Sequence, residues 1–287
     1  MLDRALVLGA GGHAAIAWEI GVIVGLSDVG VDLRNADLFV GTSAGSVVAA
    51  QLNAGLPLEE LFRGQTDPAL QTSEPTPPVD FPRWRADLLR AKQTGGSAPE
   101  FLRQVGTIRS TTPATAEFDR RRIIVSRLPV HTWPQKKLLI AAVDVQSGTR
   151  EVFDAGSNVE LTDAVMASGA VAGIWPAVSI HGRRYVDGGF YSIDNADLAA
   201  NARRVLILTF PVRVPPLCVV TLDQTLETLR RGGCAVEVVH PDEASEAAFA
   251  SVGGNFLDPA VRRSAALAGR EQGRALAGRL ASFWDQL

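Results

Sequence analysis

The apolar residues of this chain fall into short unbroken runs separated by segments with helical spacing. Ala5-Leu6-Val7-Leu8 and Asp37-Leu38-Phe39-Val40 are runs of the first kind and predict buried strands. Between them, Ile16, Ile20, Ile23 and Val24 recur at helical intervals and predict a helix over about Ala15 to Asp28. Val47 to Leu52 predicts a second helix, which Gly55 stops, and Pro57 is placed to start a third at Leu58 to Phe62. Further strands are expected at Lys137 to Val145, Thr149 to Phe153, Arg184 to Val186, Arg204 to Phe210 and Ala235 to Val239. Helices are expected at Leu161 to Ser168, Leu222 to Arg231 and Pro259 to Trp284, the last amphipathic. Strands alternating with helices predict an α/β fold with a mostly parallel central sheet and helices on both faces.

The alternation breaks over residues 65–130. Gln65-Thr66-Asp67-Pro68 and Glu74-Pro75-Thr76-Pro77-Pro78 make a proline-rich loop, and short helices follow near Trp84 to Lys92 and Pro99 to Val105. We read one domain over residues 1–287, with 65–130 as a helical insertion and the candidate lid.

Composition narrows the classes. A chain of 287 residues, 46% hydrophobic, is long enough for one large core. Its net charge of −3 argues against bulk nucleic-acid binding. Two cysteines, Cys218 and Cys234, make neither a disulfide framework nor a metal cluster and read as packing residues in a reducing compartment. The start carries Asp3 and Arg4 with no signal-peptide core, and the apolar stretch Ala14 to Leu26 contains Glu19 and is too short to span a bilayer. The expectation is a soluble cytoplasmic chain, with peripheral lipid contact and oligomeric state left open.

Three segments carry candidate chemistry. Gly41-Thr42-Ser43-Ala44-Gly45 is a G-x-S-x-G run where an apolar strand meets a helix. Gly41 and Gly45 permit a very sharp turn, which pushes Ser43 into strained backbone at a helix N-terminus, where free amides favour negative charge. The bland alternative is a strand-to-helix loop with Ser46 as the cap. In Arg184-Tyr185-Val186-Asp187-Gly188-Gly189-Phe190, a strand runs into a carboxylate followed by two glycines. Alone this is a turn signal; beside Ser43 it offers the proton acceptor that a serine nucleophile needs. Gly9-Ala10-Gly11-Gly12 follows the first strand, and its amides can point into one cavity to stabilise an oxyanion. Gly9-x-Gly11-x-x-Ala14 also fits a relaxed dinucleotide pattern, but the second strand ends in Val40-Gly41-Thr42-Ser43 rather than in the acidic residue that pattern expects.

The order LVLGAGGHAAIAWEIGV, LFVGTSAGSVVAA, SGAVAGIWPAV, GRRYVDGGF resembles the patatin-like phospholipase family over roughly residues 4–210. The resemblance implies a three-layer α/β/α fold and hydrolysis of lipid acyl esters through an acyl-enzyme. It assigns Ser43 as nucleophile, Asp187 as base, and Gly9, Ala10, Gly11 and Gly12 as the oxyanion loop, with Gly188 and Gly189 in the Asp-Gly-Gly motif. No histidine, metal or organic cofactor enters the catalytic set, and the implied partner is a lipid or acyl-ester substrate. Three positions depart from the family's pattern: Ala10 stands for a glycine of the loop, Ala15 for the glycine that closes it, and Ala172 for a proline before Gly173. A methyl at Ala10 is expected to tilt one amide away from the oxyanion.

Rival readings remain at this stage. The order Ser43, Asp187, His240 also suits an α/β-hydrolase triad. The altered loop also suits a lipid-binding protein with little catalysis. His13 is either a lining residue that meets a head group or an exposed helix-start residue. Trp18, Trp133 and Trp175 read as core or cavity wall. Arg120, Arg121 and Arg122 read as a solvated helix end, with contact to anionic lipid as the alternative.

Overall fold

The structure, a computed structural model, describes residues 2–72, 74, 76–77, 79–108, 117–210 and 217–284. Met1, Pro75 and Pro78 of the proline-rich loop, and residues 109–116 of the expected insertion lie outside the described residues. The first half of the chain runs β1 (Leu2–Leu8), α1 (Gly12–Ser27), β2 (Leu38–Thr42), α2 (Ala44–Leu52), α3 (Leu58–Thr66), α4 (Phe81–Gly95), α5 (Ala98–Val105) and α6 (Glu117–Arg127). The second half runs β3 (Lys137–Asp144), β4 (Thr149–Phe153), α7 (Leu161–Ser168), β5 (Val178–Ile180), β6 (Arg183–Asp187), β7 (Ala202–Leu208), α8 (Leu222–Arg231), β8 (Ala235–Val239), α9 (Glu243–Ala250) and α10 (Arg262–Trp284). β5 and α9 carry no signal in the apolar pattern. β5 is too short to show a period, and α9 is mostly Ala and Glu with one buried side chain, Ser245.

One sheet organises these elements in the order β5-β6-β3-β2-β1-β7-β8, with β4 also paired to β3. β1, β2, β3, β7 and β8 are parallel; β4, β5 and β6 pair antiparallel. The unbroken apolar runs follow from burial on both faces. Leu6 and Leu8 of β1 pack with Phe39, Ile140 and the residues of α1 and α2. Ala5 and Val7, on the opposite face, pack with Val40, Val205, Ile207 and Leu229 of α8. α4 and α5 cover Val143 and Val186. The result is the three-layer α/β/α arrangement. Among the described residues, no helix is long and apolar enough to cross a membrane.

Register brings two strand ends together. β2 pairs with Lys137–Ala141 of β3, ending at Thr42 opposite Ala141. β6 pairs with Ala142–Asp144, ending at Asp187 opposite Ala142. β4 overlaps both stretches and so must hold the other edge. β2 and β6 therefore lie end to end along one edge of β3, and their C-terminal ends meet.

α1 is buried along nearly its whole length, because α10 closes over the side turned away from the sheet. The two helices touch backbone to backbone. A Cβ on Gly25 would lie 2.0 Å from Arg270 O, and one on Gly273 would lie 2.3 Å from Val22 O. Trp18 donates from Nε1 to Gln272 Oε1 at 2.7 Å across the same seam. Gly273→Ala should therefore lower stability by roughly 1–3 kcal/mol through overpacking. Gly278→Ala, in the same helix but with open space around it, should raise stability by roughly 0.5–1 kcal/mol. Urea midpoints read both changes, and shifts of equal sign would show that close approach does not set this crossing.

Candidate active site

Ser43 stands between the last residue of β2 and the first of α2. Its φ of 54° and ψ of −114° are rare for an L-residue. Such backbone costs of order 1–3 kcal/mol and persists only where the surroundings fix it. Here Ser43 N–H donates to Ser168 Oγ at 2.8 Å, and Ser168 Oγ donates to Ala141 O at 2.6 Å. The flanking glycines let strand and helix close together: a Cβ on Gly45 would lie 2.0 Å from Leu8 O, and one on Gly41 would lie 2.6 Å from Ser46 Cα. Ser46 turns back into α2, its Oγ donating to Ser43 O at 2.6 Å.

Asp187 ends β6 and is 4% exposed. Its carboxylate accepts a hydrogen bond from Gly189 N–H at 2.7 Å, and it lines the same cavity as Ser43. Burial raises its pKa to about 7, and its interactions with the Ser43 side chain and Gly189 N–H only partly offset that rise. Gly188 is pressed against β3, where a Cβ would lie 2.3 Å from Ala141 O. Asn195 joins the two halves. Its Nδ2 donates to Thr42 Oγ1 at 3.0 Å and to Ser192 O at 2.7 Å, with a longer contact of 3.4 Å to Gly188 O.

The four residues of the expected oxyanion loop are not equivalent. Gly9 N–H is shared between Leu208 O and Glu19 Oε1, both at 3.0 Å. Ala10 N–H donates to Ile193 O at 2.9 Å. Both amides are therefore committed to holding the loop, and the expected donor set narrows accordingly. Gly11 and Gly12 open α1, and their amides find no acceptor among the described residues. The amide of Ala44, the first residue of α2, is likewise free among the described residues. Ala44, Gly11 and Gly12 line one cavity with Ser43 and Asp187. Ala15 packs beneath Gly11, and Ala172 O accepts from Trp84 Nε1 at 2.8 Å.

This cavity holds about 390 Å³ and is lined mostly by apolar side chains, among them Ile16, Val47, Trp175, Phe190 and Phe210. One stretch of its wall is charged, carrying His13, Glu74, Arg120 and Arg127. His13 is 5% exposed, which corrects the solvated helix-start reading. Burial lowers its pKa to about 4, against the hydrogen bond it donates to the Glu74 carboxylate. Arg120 is also buried and stacks 4.1 Å above the Trp175 ring, which corrects the solvated-helix-end reading for that residue. Arg121 pairs with Glu160 and Asp163, and Arg122 alone of the three is exposed. His240 does not line the cavity; it is exposed beyond β8, with Nδ1 2.9 Å from Thr209 O.

Sequence reasoning missed Ser168, Asn195 and Glu19. The signal for Glu19 was present, since it interrupts a long apolar stretch, but that signal bears on burial as much as on membrane spanning. Glu19 is 0% exposed, and burial raises its pKa well above the usual carboxylate range. A carboxyl with a raised folded-state pKa costs stability as pH rises past its unfolded value, at about 1.4 kcal/mol per unit. Glu19→Gln should therefore gain stability relative to the parent as pH rises from 4 to 8. Thermal unfolding across that range tests this, and a constant or reversed difference would refute the raised pKa.

A sequence model of the family described as patatin-like phospholipase matches residues 6–200. Curated proteins give no match. Among solved structures, VipD from Legionella pneumophila is 14% identical, with a TM-score of 0.40 over 75% of this chain and 51% of that one. The type III effector ExoU is 12% identical, with a TM-score of 0.43 over 96% of this chain and 53% of that one. ExoU in its heterodimeric complex with SpcU from Pseudomonas aeruginosa is 16% identical, with a TM-score of 0.41 over 99% and 52%. This chain thus spans about half the length of those proteins. On the family match over residues 6–200, the chain belongs to the patatin-like phospholipases.

Proposed function

We propose that this chain is a serine acyl hydrolase that cleaves lipid acyl esters with a Ser43–Asp187 dyad. The observation that carries this reading is the placement of Ser43, on a strained turn, beside a buried Asp187 at the wall of an apolar cavity. Asp187 takes the hydroxyl proton as Ser43 Oγ bonds to the ester carbonyl carbon. The oxyanion that forms is met by the amides of Gly11, Gly12 and Ala44, where one such donor is worth roughly 100- to 1,000-fold in rate. Collapse expels the alcohol, which leaves with the proton from Asp187. Water then attacks the acyl carbon and gives a proton to Asp187; the bond from that carbon to Ser43 Oγ breaks, Asp187 returns the proton to Oγ, and the carboxylic acid leaves. A base with a pKa near the working pH combines a large ionised fraction with useful proton affinity.

The strained turn supports the same reading, because it lifts Ser43 Oγ clear of α2. The apolar lining suits an acyl chain, and the insertion supplies Trp84, Arg120 and Arg127 to the wall, as a cover over the chain would. No cofactor enters any step.

Ser43→Ala should reduce ester hydrolysis to background, and fluorophosphonate should label the parent at Ser43. Asp187→Asn should lower kcat/KM by roughly 10²- to 10⁴-fold, the range for loss of a general base. Because the base must be ionised, kcat/KM in the parent should fall as pH drops through about 7. Hydrolysis that survives Asp187→Asn with an unchanged pH profile would remove Asp187 from the mechanism.

A further inference from the structure

The charged stretch of cavity wall is over-supplied with cations. Arg120 Nη1 reaches Glu74 Oε1 at 2.5 Å, Arg127 Nη2 contacts Glu74 Oε2, and Arg262 Nη2 lies 3.8 Å from the same oxygen. His13 Nε2 stands 3.3 Å from Oε2. Arg262 Nε donates to His13 Nδ1 at 3.1 Å, and Arg127 Nη2 lies 3.2 Å from His13 Nε2. With His13 neutral, one carboxylate faces three guanidinium groups whose side chains are 9–13% exposed. Among the described residues no other carboxylate pairs with them, and Arg127 Nε is buried without an acceptor.

The placement of Glu74 is as informative as the charge. It lies on the loop between the 3₁₀ turn Pro68–Leu70 and α4, outside any helix or strand, while the arginines are held by α6 and α10. Glu74 and Arg127 line both the cavity that contains Ser43 and a second cavity of about 190 Å³ on the far side, which Arg262 also lines. Glu74 thus forms part of the partition between an apolar chamber with a nucleophile and a smaller polar chamber. Planar guanidinium groups converging on paired oxygens are matched to carboxylate and phosphate alike.

We propose that Arg120, Arg127 and Arg262 form a seat for a phosphate group of the acyl-ester substrate, and that Glu74 fills this seat in the structure described here. The inference rests on the hydrolase reading for its setting, but the seat itself is a binding site and can be tested without turnover. A phosphate brings more negative charge than the carboxylate it displaces and can also reach the unpartnered Arg127 Nε–H. A neutral acyl ester gains nothing from the seat and leaves Glu74 in place.

The test uses the full chain and ligands that cannot be hydrolysed. A dihexyl-ether glycerol phosphate, the matching dihexyl-ether glycerol and inorganic phosphate are titrated separately by calorimetry. The ether phosphate should bind at least tenfold more tightly than the neutral ether, and Glu74→Gln should tighten it several-fold further. Arg120→Met with Arg127→Met should abolish the preference for the ether phosphate over the neutral ether. Inorganic phosphate binding as tightly as the ether phosphate would assign the seat to the free ion and overturn the substrate role. Equal binding of the two ethers, or weaker ether-phosphate binding in Glu74→Gln, would overturn the seat. If the arginine variants do not fold, Glu74→Gln and the ligand comparison decide alone. Fluorophosphonate labelling of Ser43 in the same samples reports on the hydrolase reading separately, so either can fail without the other.

Discussion

The site depends on one edge of one strand. β3 offers its Lys137–Ala141 stretch to β2 and its Ala142–Asp144 stretch to β6, in opposite senses. Two strands that approach head to head must both end where they meet, and the residues just past those ends must turn out of the sheet. Those residues are Ser43 and Gly188, with Asp187 as the last residue of β6. The separation of Ser43 and Asp187 is therefore set by backbone pairing rather than by flexible side chains. Ser168 and Asn195 fasten the same junction, one to Ala141 and the Ser43 amide, the other to Thr42 and the Gly188 turn. A strained residue survives there because each bond that fixes it ends on a buried element.

Burial alone does not decide the charge of a carboxyl here; its partners do. Glu19, Asp187 and Asp194 lie in the interior with neutral donors close by, and burial raises all three pKa values. Burial pushes Glu74 in the same direction, yet the hydrogen bond from His13 and the charges of Arg127 and Arg120 hold it well below the usual range. The protein thereby keeps a carboxyl with a pKa of about 7 beside Ser43 and a fixed anion elsewhere in the lining of the same cavity. Two carboxylates in one chamber with opposite shifts can be assigned separate roles on physical grounds.

What could be read from the sequence follows the range of the interactions. The sheet strands are legible because double-sided burial leaves continuous apolar runs. The Ser43 and Asp187 turns are legible because close backbone approach demands glycine beside them, and Gly45 against Leu8 O and Gly188 against Ala141 O show the cost of anything larger. The commitments of the Gly9 and Ala10 amides are not legible, since Leu208 and Ile193 lie far along the chain and Glu19 meets Gly9 only once α1 has packed against β1. The burial of Arg120 is hidden for the same reason. In sequence it is one of three consecutive arginines, and only the helical turn separates its environment from that of Arg122. Ser168 and Asn195 look ordinary because their roles exist only across the junction.

The charged wall imposes a coupling on the loop that carries Glu74. Three buried guanidinium groups cannot be left without a counter-charge, because an uncompensated buried ion costs roughly 3–5 kcal/mol. Glu74, itself outside any helix or strand, is thus held against α6 and α10 by electrostatics. The cost of moving it falls only when another anion takes its place. Whatever displaces Glu74 must gain more from the arginines than Glu74 does, and this favours a ligand with two or more acceptor oxygens over one with a single charge point. In the proposed seat, a phosphate-bearing amphiphile would take the place of Glu74, and a neutral one would leave it paired with the arginines. By linkage, the position of the loop and the affinity for the anion must move together.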